Sequence, residues 1–468
     1  MKIMIIGAGK LGYRLAETMM NEQIDITLVD TNQKTIERVQ DHLDVLAVMG
    51  NGLDMATLKE LSIETYDMLI AVTGVDEANT IICSIAKKLG VRRTIARIRN
   101  PEYIRQKDYL TEDMGIDHIV NPDLATAHEI MRFLMKGYHF HTGDFAKGKV
   151  TMMDIKIGQI PDLIGKKIMN IENFDGLLIT AIKREGVILI PDGSTVLKAE
   201  DLLYILGKTH RLNEFVKRFK LCLDVRPVKD IMIFGGGNIG FYLANDLIRQ
   251  NVNVVIVEQN RDRCYYLSNK LPEAVVIHGD GTDLQLLEEE SLAQMDAFVG
   301  ATGFDEQNLL MAIMAKQEGV DKTIAKISRS SYVNLIDKLN IDFSLNPIDI
   351  TVSEILKYVR GGLIVSVTML LERQAEVVEV IVNESLACVN EKIKDLKLPK
   401  GIIIGAILHN HQVIIPNGDT VIHAGDRLVI FSLNSSVEAL QQFIRPNDGG
   451  LLRELWNRTK GPRKTAVS

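Results

Sequence analysis

The chain has 468 residues, 46% hydrophobic and 25% charged, and its formal net charge of −7 argues against general nucleic-acid binding. Its longest apolar runs, such as residues 402–408, are too short to span a bilayer, and no signal-peptide pattern precedes the first strand pattern. The four cysteines are scattered without a CxxC pair, so neither a disulfide framework nor a zinc ribbon is predicted and we expect a cytoplasmic protein.

The first 135 residues alternate between strand and helix patterns. Apolar runs typical of buried strands recur at residues 3–6, 26–29, 45–48, 68–72 and 94–98. Apolar residues at helical spacing lie between them, as in Leu11, Leu15 and Met19, and in Ile81, Ile85 and Leu89. Strands that alternate with helices predict an α/β fold with a doubly wound parallel sheet of the Rossmann type.

A glycine-rich motif, GAGKLG, follows the first strand pattern at residues 7–12. In a strand–turn–helix unit, Gly7 would allow the tight turn, Gly9 would let the backbone approach a pyrophosphate, and Gly12 would let the helix pack on its strand. Asp30 ends the second strand, 23 positions after the first glycine. A carboxylate there accepts hydrogen bonds from ribose hydroxyls and repels a 2′-phosphate, so NAD(H) or an adenine nucleotide is favoured over NADP(H).

Ligands in doubly wound sheets bind at the carboxyl ends of the strands, near the point where the strand order reverses. We expect five loop segments of the first lobe to converge there, namely residues 7–12, Asp30, residues 50–52, Thr73-Gly74 and Arg97.

A smaller α+β unit follows, from about residue 150 to residue 220. Met153, Ile155 and Ile157 alternate with polar neighbours, as in a half-buried strand. The apolar runs 177–182 and 187–190 predict a hairpin, 202–206 predicts another strand, and 212–219 predicts a short helix. Residues 222–229 look like a linker.

The second half of the chain repeats the first. GGGNIG occupies residues 235–240, and Glu258 again follows 23 positions after the first glycine. A shift of 228 to 229 residues aligns the two lobes as far as residue 326, placing Thr302 on Thr73, Asn308 on Asn79 and Lys326 on Arg97. A shift of 225 then aligns residues 191–193 with 416–418, and Asp201 with Asp426. A repeat of half the chain is a domain duplication, since solenoid repeats span about 20–50 residues.

The duplication predicts two Rossmann-type lobes, each followed by a small α+β lobe. The predicted boundaries are 1–135, 140–221, 229–360 and 365–446, with a flexible tail at 447–468. Two fingerprints imply two nucleotide pockets, which favours ligand sensing over chemistry on a substrate.

An NAD-dependent oxidoreductase is the alternative from another class, and it requires an acid or base near the nicotinamide. His118 and His128 align with Phe343 and Ser353, so these histidines are not part of the duplicated design. The trio His139, His141 and Asp144 could ligate a metal, but a solvated connecting segment is the favoured interpretation. We therefore predict no catalytic residue and no metal site.

With these motifs in place, the chain resembles the TrkA family of Trk-system potassium uptake proteins, which are tandem RCK (KTN) domains. The resemblance covers nearly the whole chain and rests on both fingerprints with their acids, on the Thr-Gly-x-Asp-Glu stretches at 73–77 and 302–306, on Arg97 and on both small lobes. It implies a peripheral subunit on the inner face of the cell membrane that binds NAD(H), with ATP or ADP as further ligands. It also implies a tetramer that forms a ring of eight units and regulates a Trk-type membrane potassium-translocating partner. A regulatory module of another cation channel or antiporter is the alternative.

The resemblance also implies the nucleotide contacts. In the first lobe these are Gly7, Ala8, Gly9, Lys10, Leu11, Gly12, Asp30, Thr73, Gly74 and Arg97. In the second lobe they are Gly235, Gly236, Gly237, Asn238, Ile239, Gly240, Glu258, His278, Gly279, Thr302, Gly303 and Lys326. The chain departs from the usual family pattern at Asn51, which aligns with Asp280, and at Lys326, which aligns with Arg97. An arginine forks to two phosphate oxygens whereas a lysine is a point charge, so we expect the two sites to prefer different ligands.

Overall fold

The computed structural model describes residues 1–20, 22, 24–135, 143–172, 174–219, 221, 227–329, 332, 339, 341–360, 363–370, 374–386 and 388–444. The chain divides into two compact units, one formed by Met1–His141 with Val216–Leu356, the other by Thr142–Phe215 with Lys357–Ser468. Each unit therefore combines equivalent parts of the two halves. Within the described residues, no helix is both long and apolar enough to cross a membrane. The predicted tail and the histidines of the 139–144 trio lie outside the described residues.

A six-stranded parallel sheet forms the first lobe, in the order β3-β2-β1-β4-β5-β6. Its strands are β1 Lys2–Ile6, β2 Asp25–Asp30, β3 Leu46–Met49, β4 Met68–Ala71, β5 Arg93–Arg97 and β6 His118–Val120. Its helices are α1 Lys10–Met19, α2 Gln33–His42, α3 Met55–Glu60, α4 Asp76–Lys88, α5 Pro101–Ile104, α6 Lys107–Glu112 and α7 Pro122–Met135. The strand order reverses between β1 and β4, so the predicted doubly wound sheet is confirmed, and β6 is a strand that the sequence did not predict.

The small lobe that follows is an antiparallel sheet in the order β10-β9-β11-β8-β7. Its elements are β7 Gly143–Phe145, β8 Val150–Lys156, β9 Leu177–Arg184, β10 Val187–Leu189, β11 Leu202–Lys208 and the helix α8 Thr209–Arg218. The predicted hairpin is confirmed, and its turn places Glu185 and Gly186 at φ values of 50° and 81°. Two consecutive positive φ values match the right-handed twist of the hairpin strands.

The second parallel lobe repeats the first, in the order β14-β13-β12-β15-β16-β17. Its elements are β12 Asp230–Phe234, α9 Asn238–Ile248, β13 Asn253–Glu258, α10 Arg261–Lys270, β14 Val275–His278, α11 Leu284–Glu289, β15 Ala297–Gly300, α12 Asp305–Gln317, β16 Lys322–Lys326, β17 Phe343–Leu345 and α13 Pro347–Arg360. The second antiparallel sheet has the order β18-β19-β22-β20-β21. Its elements are β18 Ile364–Leu370, β19 Ala375–Ile381, β20 Ile402–His409, β21 Gln412–Ile414, β22 Arg427–Leu433 and α14 Val437–Ile444.

Helix α7 of the first parallel lobe packs against the second parallel lobe. Its apolar side joins one continuous buried cluster with β12, α9, β13 and β17, in which the rings of Phe133 and Phe343 stack with centroids 4.6 Å apart. The Lys322 ammonium donates to the Leu134 carbonyl oxygen at 2.9 Å, close to the end of the helix. Because this contact is buried, α7 is part of the core of the second lobe as much as of its own.

The two small lobes also share a core within their unit. Phe145, Met152 and Leu206 of the first lobe pack in one buried cluster with Val377 and Phe431 of the second. The Ala146 amide donates to the buried carboxylate of Glu379 at 3.3 Å. The antiparallel sheets of the two halves therefore stabilise each other.

The buried face of α4 differs from the stripe read from the sequence. Ile81 is 46% exposed, whereas Asn79, Ile82, Cys83 and Ala86 are buried against the sheet. The sequence reading missed this because Asn79 is polar, although its amide has a role at the cavity described below. The helix itself is confirmed.

The first glycine loop leaves room for a side chain at one position and not at another. Gly7 has φ +105°, and a Cβ there would lie 2.9 Å from the Thr73 amide nitrogen. A Cβ on Gly12 would overlap the Gly7 carbonyl oxygen, whereas a Cβ on Gly9 would meet no atom within 4 Å. The same contrast recurs between Gly240 and Gly237. The third glycine is thus required for packing, and the second leaves space at the surface of the loop.

We predict that Gly12→Ala lowers the free energy of unfolding by about 1–3 kcal/mol or more, because the added methyl group forces α1 away from β1. Gly9→Ala, the matched control in the same loop, should leave stability nearly unchanged. Chemical denaturation of both variants beside the unmodified chain measures the difference. Equal stability of the two variants would contradict the close approach of α1 to the loop.

Candidate functional site

A cavity of about 650 Å³ opens at the carboxyl ends of the first parallel sheet. We call it the first cavity. Eight of the ten residues predicted for the first site line it, namely Gly7, Gly9, Lys10, Leu11, Asp30, Thr73, Gly74 and Arg97. Residues 50–52 also line it, so all five predicted loop segments meet there. Ala8 and Gly12 are not on its wall.

The glycine loop presents backbone amides to the first cavity. Helix α1 begins at Lys10, and its N-cap residue Gly9 offers no side-chain hydrogen bond to the amides of the first turn. The amide of Ala8 is already used, since it donates to the Asp30 carboxylate at 2.7 Å. The free amides at the positive end of the helix dipole therefore suit a phosphate group.

The carboxylate of Asp30 is fixed by backbone amides on both of its oxygens. Oδ2 accepts from Ala8 and Oδ1 accepts from Asn32 at 2.8 Å. Glu258 makes the same pair of bonds in the second lobe, with Gly236 and Asn260, both at 2.8 Å. Each carboxylate oxygen keeps further acceptor capacity, so both acids are held ready for ribose hydroxyls.

The loop after β4 is held by a buried asparagine. The Oδ1 of Asn79 accepts from the Thr73 amide at 2.8 Å and from the Thr73 hydroxyl at 2.7 Å, while Nδ2 donates to the Arg97 carbonyl oxygen at 2.9 Å. Asn308 makes the same three bonds to Thr302 and Lys326. This positioning role was missed from the sequence, although the alignment of Asn79 with Asn308 was its signal.

A second carboxylate fixes the loop after β5. Asp76 lies in the first turn of α4. Its Oδ2 accepts from the amides of Arg99 and Asn100, both at 2.8 Å. Asp305 does the same for Ser328 and Arg329. The Thr-Gly-x-Asp-Glu stretches are therefore a framework that sets two neighbouring loops.

Arg97 supplies a buried positive charge at the cavity wall. Its Nη1 donates to the Thr73 carbonyl oxygen at 3.2 Å, and its Nε is buried without a hydrogen-bond partner among the described residues. Burial, together with the nearby charge of Arg99, lowers the pKa of the Arg97 guanidinium. A desolvated cation with an unused donor fits an anionic ligand, so the first site fits a dinucleotide on chemical grounds.

Two residues predicted for the second site lie on the wall of the first cavity. They are Ile239 and Lys326, and Pro347 and Thr351 of the second lobe line it as well. Lys326 is 8% exposed, and its ammonium donates to the Thr302 carbonyl oxygen at 2.6 Å. Because α7 packs on the second lobe, Lys326 at the end of β16 lies on the wall of the cavity that the first glycine loop forms.

Asp123, in the first turn of α7, adds a carboxylate to the same wall. Its Oδ2 accepts from the Asn238 side-chain amide at 3.2 Å, and burial raises its pKa. Asn238 belongs to the second glycine loop, so this bond joins the first cavity to the second fingerprint.

The second lobe has a smaller cavity of about 230 Å³, which we call the second cavity. Of the residues predicted for the second site, Gly235, Gly237, Glu258, Thr302 and Gly303 line it, together with Asp280 and Gly281. The other seven, Gly236, Asn238, Ile239, Gly240, His278, Gly279 and Lys326, are not on its wall.

His278 and Gly279 have structural surroundings instead. The exposed ring of His278 places Nε2 3.1 Å from the Gln259 carbonyl oxygen. A Cβ on Gly279 would lie 2.4 Å from Cδ2 of Leu286, so a side chain at this position requires the leucine to move. The described wall of the second cavity carries the carboxylates of Glu258 and Asp280 and no lysine or arginine.

Family comparison agrees with this architecture. The TrkA-N domain matches residues 3–122 and 231–347, and the TrkA-C domain matches residues 152–220 and 377–445, together more than half of the chain. The chain belongs to the TrkA family. The predicted family and the predicted fold class are thereby confirmed.

Relatives of this TrkA-family chain match it over nearly their full length. The Trk system potassium uptake protein TrkA homolog 1 of Methanosarcina mazei is 34% identical over 453 residues, covering 95% of this chain and 100% of that protein. TrkA of Vibrio alginolyticus is 34% identical over 455 residues, covering 94% and 99%. TrkA of Haemophilus influenzae is 33% identical over 458 residues, covering 96% and 99%.

Solved structures share the fold at lower identity. The RCK domain of GsuK aligns with a TM-score of 0.56 and 19% identity, covering 95% of this chain and 94% of that one. The GsuK channel bound to NAD aligns with a TM-score of 0.56 and 18% identity, covering 95% and 78%. This TrkA-family chain therefore has the tandem RCK fold.

We predict that Asn79→Ala lowers the free energy of unfolding by about 1–3 kcal/mol, because it leaves the partly buried Thr73 amide and Arg97 carbonyl oxygen without this partner. Thr80→Ala, one position along α4, is the matched control. The Thr80 hydroxyl donates only to the Asp76 carbonyl oxygen of its own helix, so its loss should cost little. Denaturant titration of both variants tests this, and a larger effect for Thr80→Ala would contradict the assigned role.

Proposed function

We propose that this chain is a peripheral, nucleotide-binding regulatory subunit of a potassium uptake system. Support comes from full-length relatives named Trk system potassium uptake protein TrkA and from the tandem RCK fold. In this proposal the chain is cytoplasmic and reaches the inner face of the cell membrane through a Trk-type potassium-translocating partner. Four chains form a ring of eight RCK units beneath that partner.

NAD(H) is the proposed ligand of the first cavity. The observation that carries this is the convergence of the glycine loop, the Asp30 carboxylate and the buried Arg97 guanidinium around one space of about 650 Å³. That volume lies within the range of about 300–1,000 Å³ typical of small-molecule sites. The residues we assign are those predicted from the sequence, with Lys326 and Ile239 added to the first site.

The second cavity is proposed to bind nucleotides more weakly than the first. It is smaller, and its wall offers two carboxylates where the first cavity offers Asp30 and Asn51. The hydrogen bonds from the Thr282 amide and hydroxyl lower the pKa of Asp280, so this group is charged near neutral pH. A second negative charge opposes phosphate binding there.

Regulation follows from the composite wall of the first cavity. Loops of the first lobe face Lys326, Pro347 and Thr351 of the second, so a ligand that touches both stabilises one arrangement of the two lobes over another. A ligand shifts such an equilibrium only through its differential affinity for the two arrangements, and the coupling is reciprocal in binding. We propose that this shift changes the shape of the ring and thereby the activity of the membrane partner.

Binding without turnover distinguishes this proposal from the oxidoreductase alternative. The described wall of the first cavity contains no histidine, cysteine, tyrosine or glutamate. The Asp30 carboxylate accepts from two backbone amides and Asp123 accepts from the Asn238 side-chain amide. Regulation of another channel or antiporter would use the same modules, but the full-length match to Trk-system proteins favours the Trk partner.

Calorimetric titration with NADH, NAD, ATP and ADP tests the proposal. Asp30→Ala should weaken binding at the first site about 10- to 100-fold, because hydrogen bonds to a charged group contribute about 1.5–3 kcal/mol. Gly9→Ala should also weaken it by narrowing the loop that faces the cavity, while the fold stays intact. Glu258→Ala and Gly237→Ala are the matched variants for the second site.

Steady oxidation of NADH with a carbonyl substrate, or no binding of any nucleotide, would overturn the proposal. The regulatory part is tested by potassium flux through the reconstituted partner. If Asp30→Ala removed nucleotide binding at the first site but left the flux response unchanged, the coupling mechanism would fail for that site.

The aligned pair Asn51 and Asp280 allows an exchange experiment. We predict that Asp280→Asn raises nucleotide affinity at the second site, and that Asn51→Asp lowers it at the first, each by about tenfold, since one like charge at surface-type screening costs on the order of 1 kcal/mol. Both effects should shrink at high salt. If neither substitution changes the nucleotide affinity, the phosphates do not lie near Asn51 or Asp280.

A further inference from the structure

The second small lobe contains a cluster of two histidines around a buried aspartate. His409 ends β20, and its Nδ1 lies 2.6 Å from Oδ1 of Asp426. The Nδ1 of His423 lies 3.8 Å from Oδ2 of the same carboxylate. Asp426 is 2% exposed, and one ligand atom from each of the three residues lies within 4.8 Å of the other two.

The first small lobe has equivalent positions, and their residues can be compared with this cluster. Strand pairing places Lys183 opposite Leu202 in the first copy and Leu408 opposite Arg427 in the second, which is the same register after the shift of 225. Two isolated bridges, Lys167 with Val196 and Lys392 with Val421, agree with that shift. His409 and His423 therefore occupy the structural positions of Arg184 and Lys198, and Asp426 that of Asp201.

In the first copy a guanidinium neutralises the buried carboxylate. Arg184 donates from Nε to Oδ1 of Asp201 at 2.6 Å and from Nη2 to Oδ2 at 2.7 Å. Burial alone would raise the pKa of Asp201, but the hydrogen bonds from Arg184 and from the Lys198 amide hold it below its ordinary value. A buried carboxylate needs such a partner, because an unpaired charge in a protein interior is costly.

In the second copy both basic positions have become imidazoles. An imidazole is only partly protonated near neutral pH, so it does not replace a permanent guanidinium charge. Two neutral imidazoles with one carboxylate are instead the donor set of a divalent transition-metal ion, which would supply the missing positive charge. Both basic residues of the first copy, Arg184 and Lys198, are histidines in the second. One histidine would be enough to replace the hydrogen bond from Arg184, so the presence of two favours a metal site.

The backbone presents the aspartate and one histidine on a tight turn. The Asp426 amide donates to the His423 carbonyl oxygen at 3.1 Å, and the His423 amide donates to Oδ2 of Asp426 at 2.8 Å. Val382 and Gly425 tie the turn to the end of β19, with the Gly425 amide donating to the Val382 carbonyl oxygen at 2.7 Å. The turn is therefore fixed, and His409 approaches it from the neighbouring hairpin.

We propose that His409, His423 and Asp426 form a binding site for a divalent transition-metal ion, for which Zn²⁺ is the appropriate probe. With metal–nitrogen and metal–oxygen distances of about 2.0–2.2 Å, tetrahedral ligands lie about 3.3–3.5 Å apart. The two imidazole nitrogens lie 2.6 and 3.8 Å from different oxygens of Asp426, so the side chains must rotate slightly to bring one oxygen and both nitrogens to that separation. The two imidazoles are 36% and 50% exposed, so water completes the coordination and the ion enters from solvent.

Asn410 is placed to support the first ligand. Its side-chain Nδ2 lies 3.0 Å from Nε2 of His409. When Nδ1 of His409 binds the metal, Nε2 carries the proton, and a rotation of the amide lets Asn410 accept it through Oδ1. Bound metal would thus join the β20–β21 hairpin to the turn before β22, and it would do so independently of the nucleotide sites.

The test is calorimetric titration of the metal-free, full-length chain with Zn²⁺, with Co²⁺ absorption as a second readout of coordination. Two variants restore the residues of the first copy, His409→Arg and His423→Lys. We expect each to weaken Zn²⁺ binding by more than about 100-fold, since even loss of a supporting residue costs 10- to 100-fold. His409→Arg should keep the fold, because it rebuilds the pair seen between Arg184 and Asp201.

His411→Ala is the matched control, because His411 is exposed in the same hairpin and lies outside the cluster. It should bind Zn²⁺ like the unmodified chain, and Zn²⁺ should raise the unfolding temperature of both but not that of His409→Arg. A double variant, His139→Ala with His141→Ala, should also keep the site.

Three results would overturn the proposal. Absence of Zn²⁺ binding to the unmodified chain is one, and equal binding to His409→Arg is another. The third is a stability difference between the unmodified chain and His409→Arg that depends on pH but not on Zn²⁺. That outcome would show a protonated imidazole paired with Asp426 in place of a metal.

Discussion

The burial of helix α7 in the second parallel lobe is the constraint on which the rest of the first compact unit depends. Phe133 stacks on Phe343, and the Lys322 ammonium is held at the Leu134 carbonyl oxygen. This contact removes the Lys322 ammonium from water, and burial therefore lowers its pKa. The packing of α7 thus includes a directional hydrogen bond as well as apolar contacts. Once α7 is placed, its first turn and the Asp123 carboxylate must lie beside the second glycine loop. The first cavity thus acquires a wall from the second lobe, so residues of both parallel lobes line one space.

The sequence was sufficient for whatever depends on local geometry. Glycines at fixed offsets, a strand before them and an acid after them require only a tight turn and a close helix, and the structure has these at Gly7 and Gly12. Duplication extended the same inference to the second half of the chain. Contacts between the halves could not be predicted, because no periodicity tells which lobe a helix such as α7 will pack on. For that reason the sequence predicts Lys326 only for the site of its own lobe, whereas in the structure its ammonium bonds within that lobe and the residue also lines the first cavity. The role of Asn79 could not be predicted from the apolar stripe of α4, because a buried polar residue interrupts that pattern. Its hydrogen bonds in the structure reveal the role.

The two halves provide an internal comparison of what the fold requires. Groups that hold backbone in place are kept in both copies, as with Asn79 and Asn308. A buried backbone amide or carbonyl oxygen that loses its partner costs about 1–3 kcal/mol, so these positions tolerate little change. The basic groups differ, with Lys326 in place of Arg97 and His409 in place of Arg184. Such changes leave the framework intact and alter the charge or the hydrogen-bonding geometry that is presented to a ligand.

Under the two proposals made above, this division lets one duplicated unit respond to two signals. The buried carboxylates of Asp201 and Asp426 occupy the same backbone position, and each demands a positive partner whatever its source. Where that partner is a guanidinium of the chain itself, as at Asp201, the lobe is complete without any other species. Where it is a pair of imidazoles, the charge must come from a proton or an ion, and the lobe becomes dependent on its surroundings. The same reasoning applies at the first and second cavities, where the aligned residues Asn51 and Asp280 differ by one charge on an otherwise shared framework. Sensitivity in this molecule is therefore expected to reside in the partners of a few buried carboxylates and not in differences of fold.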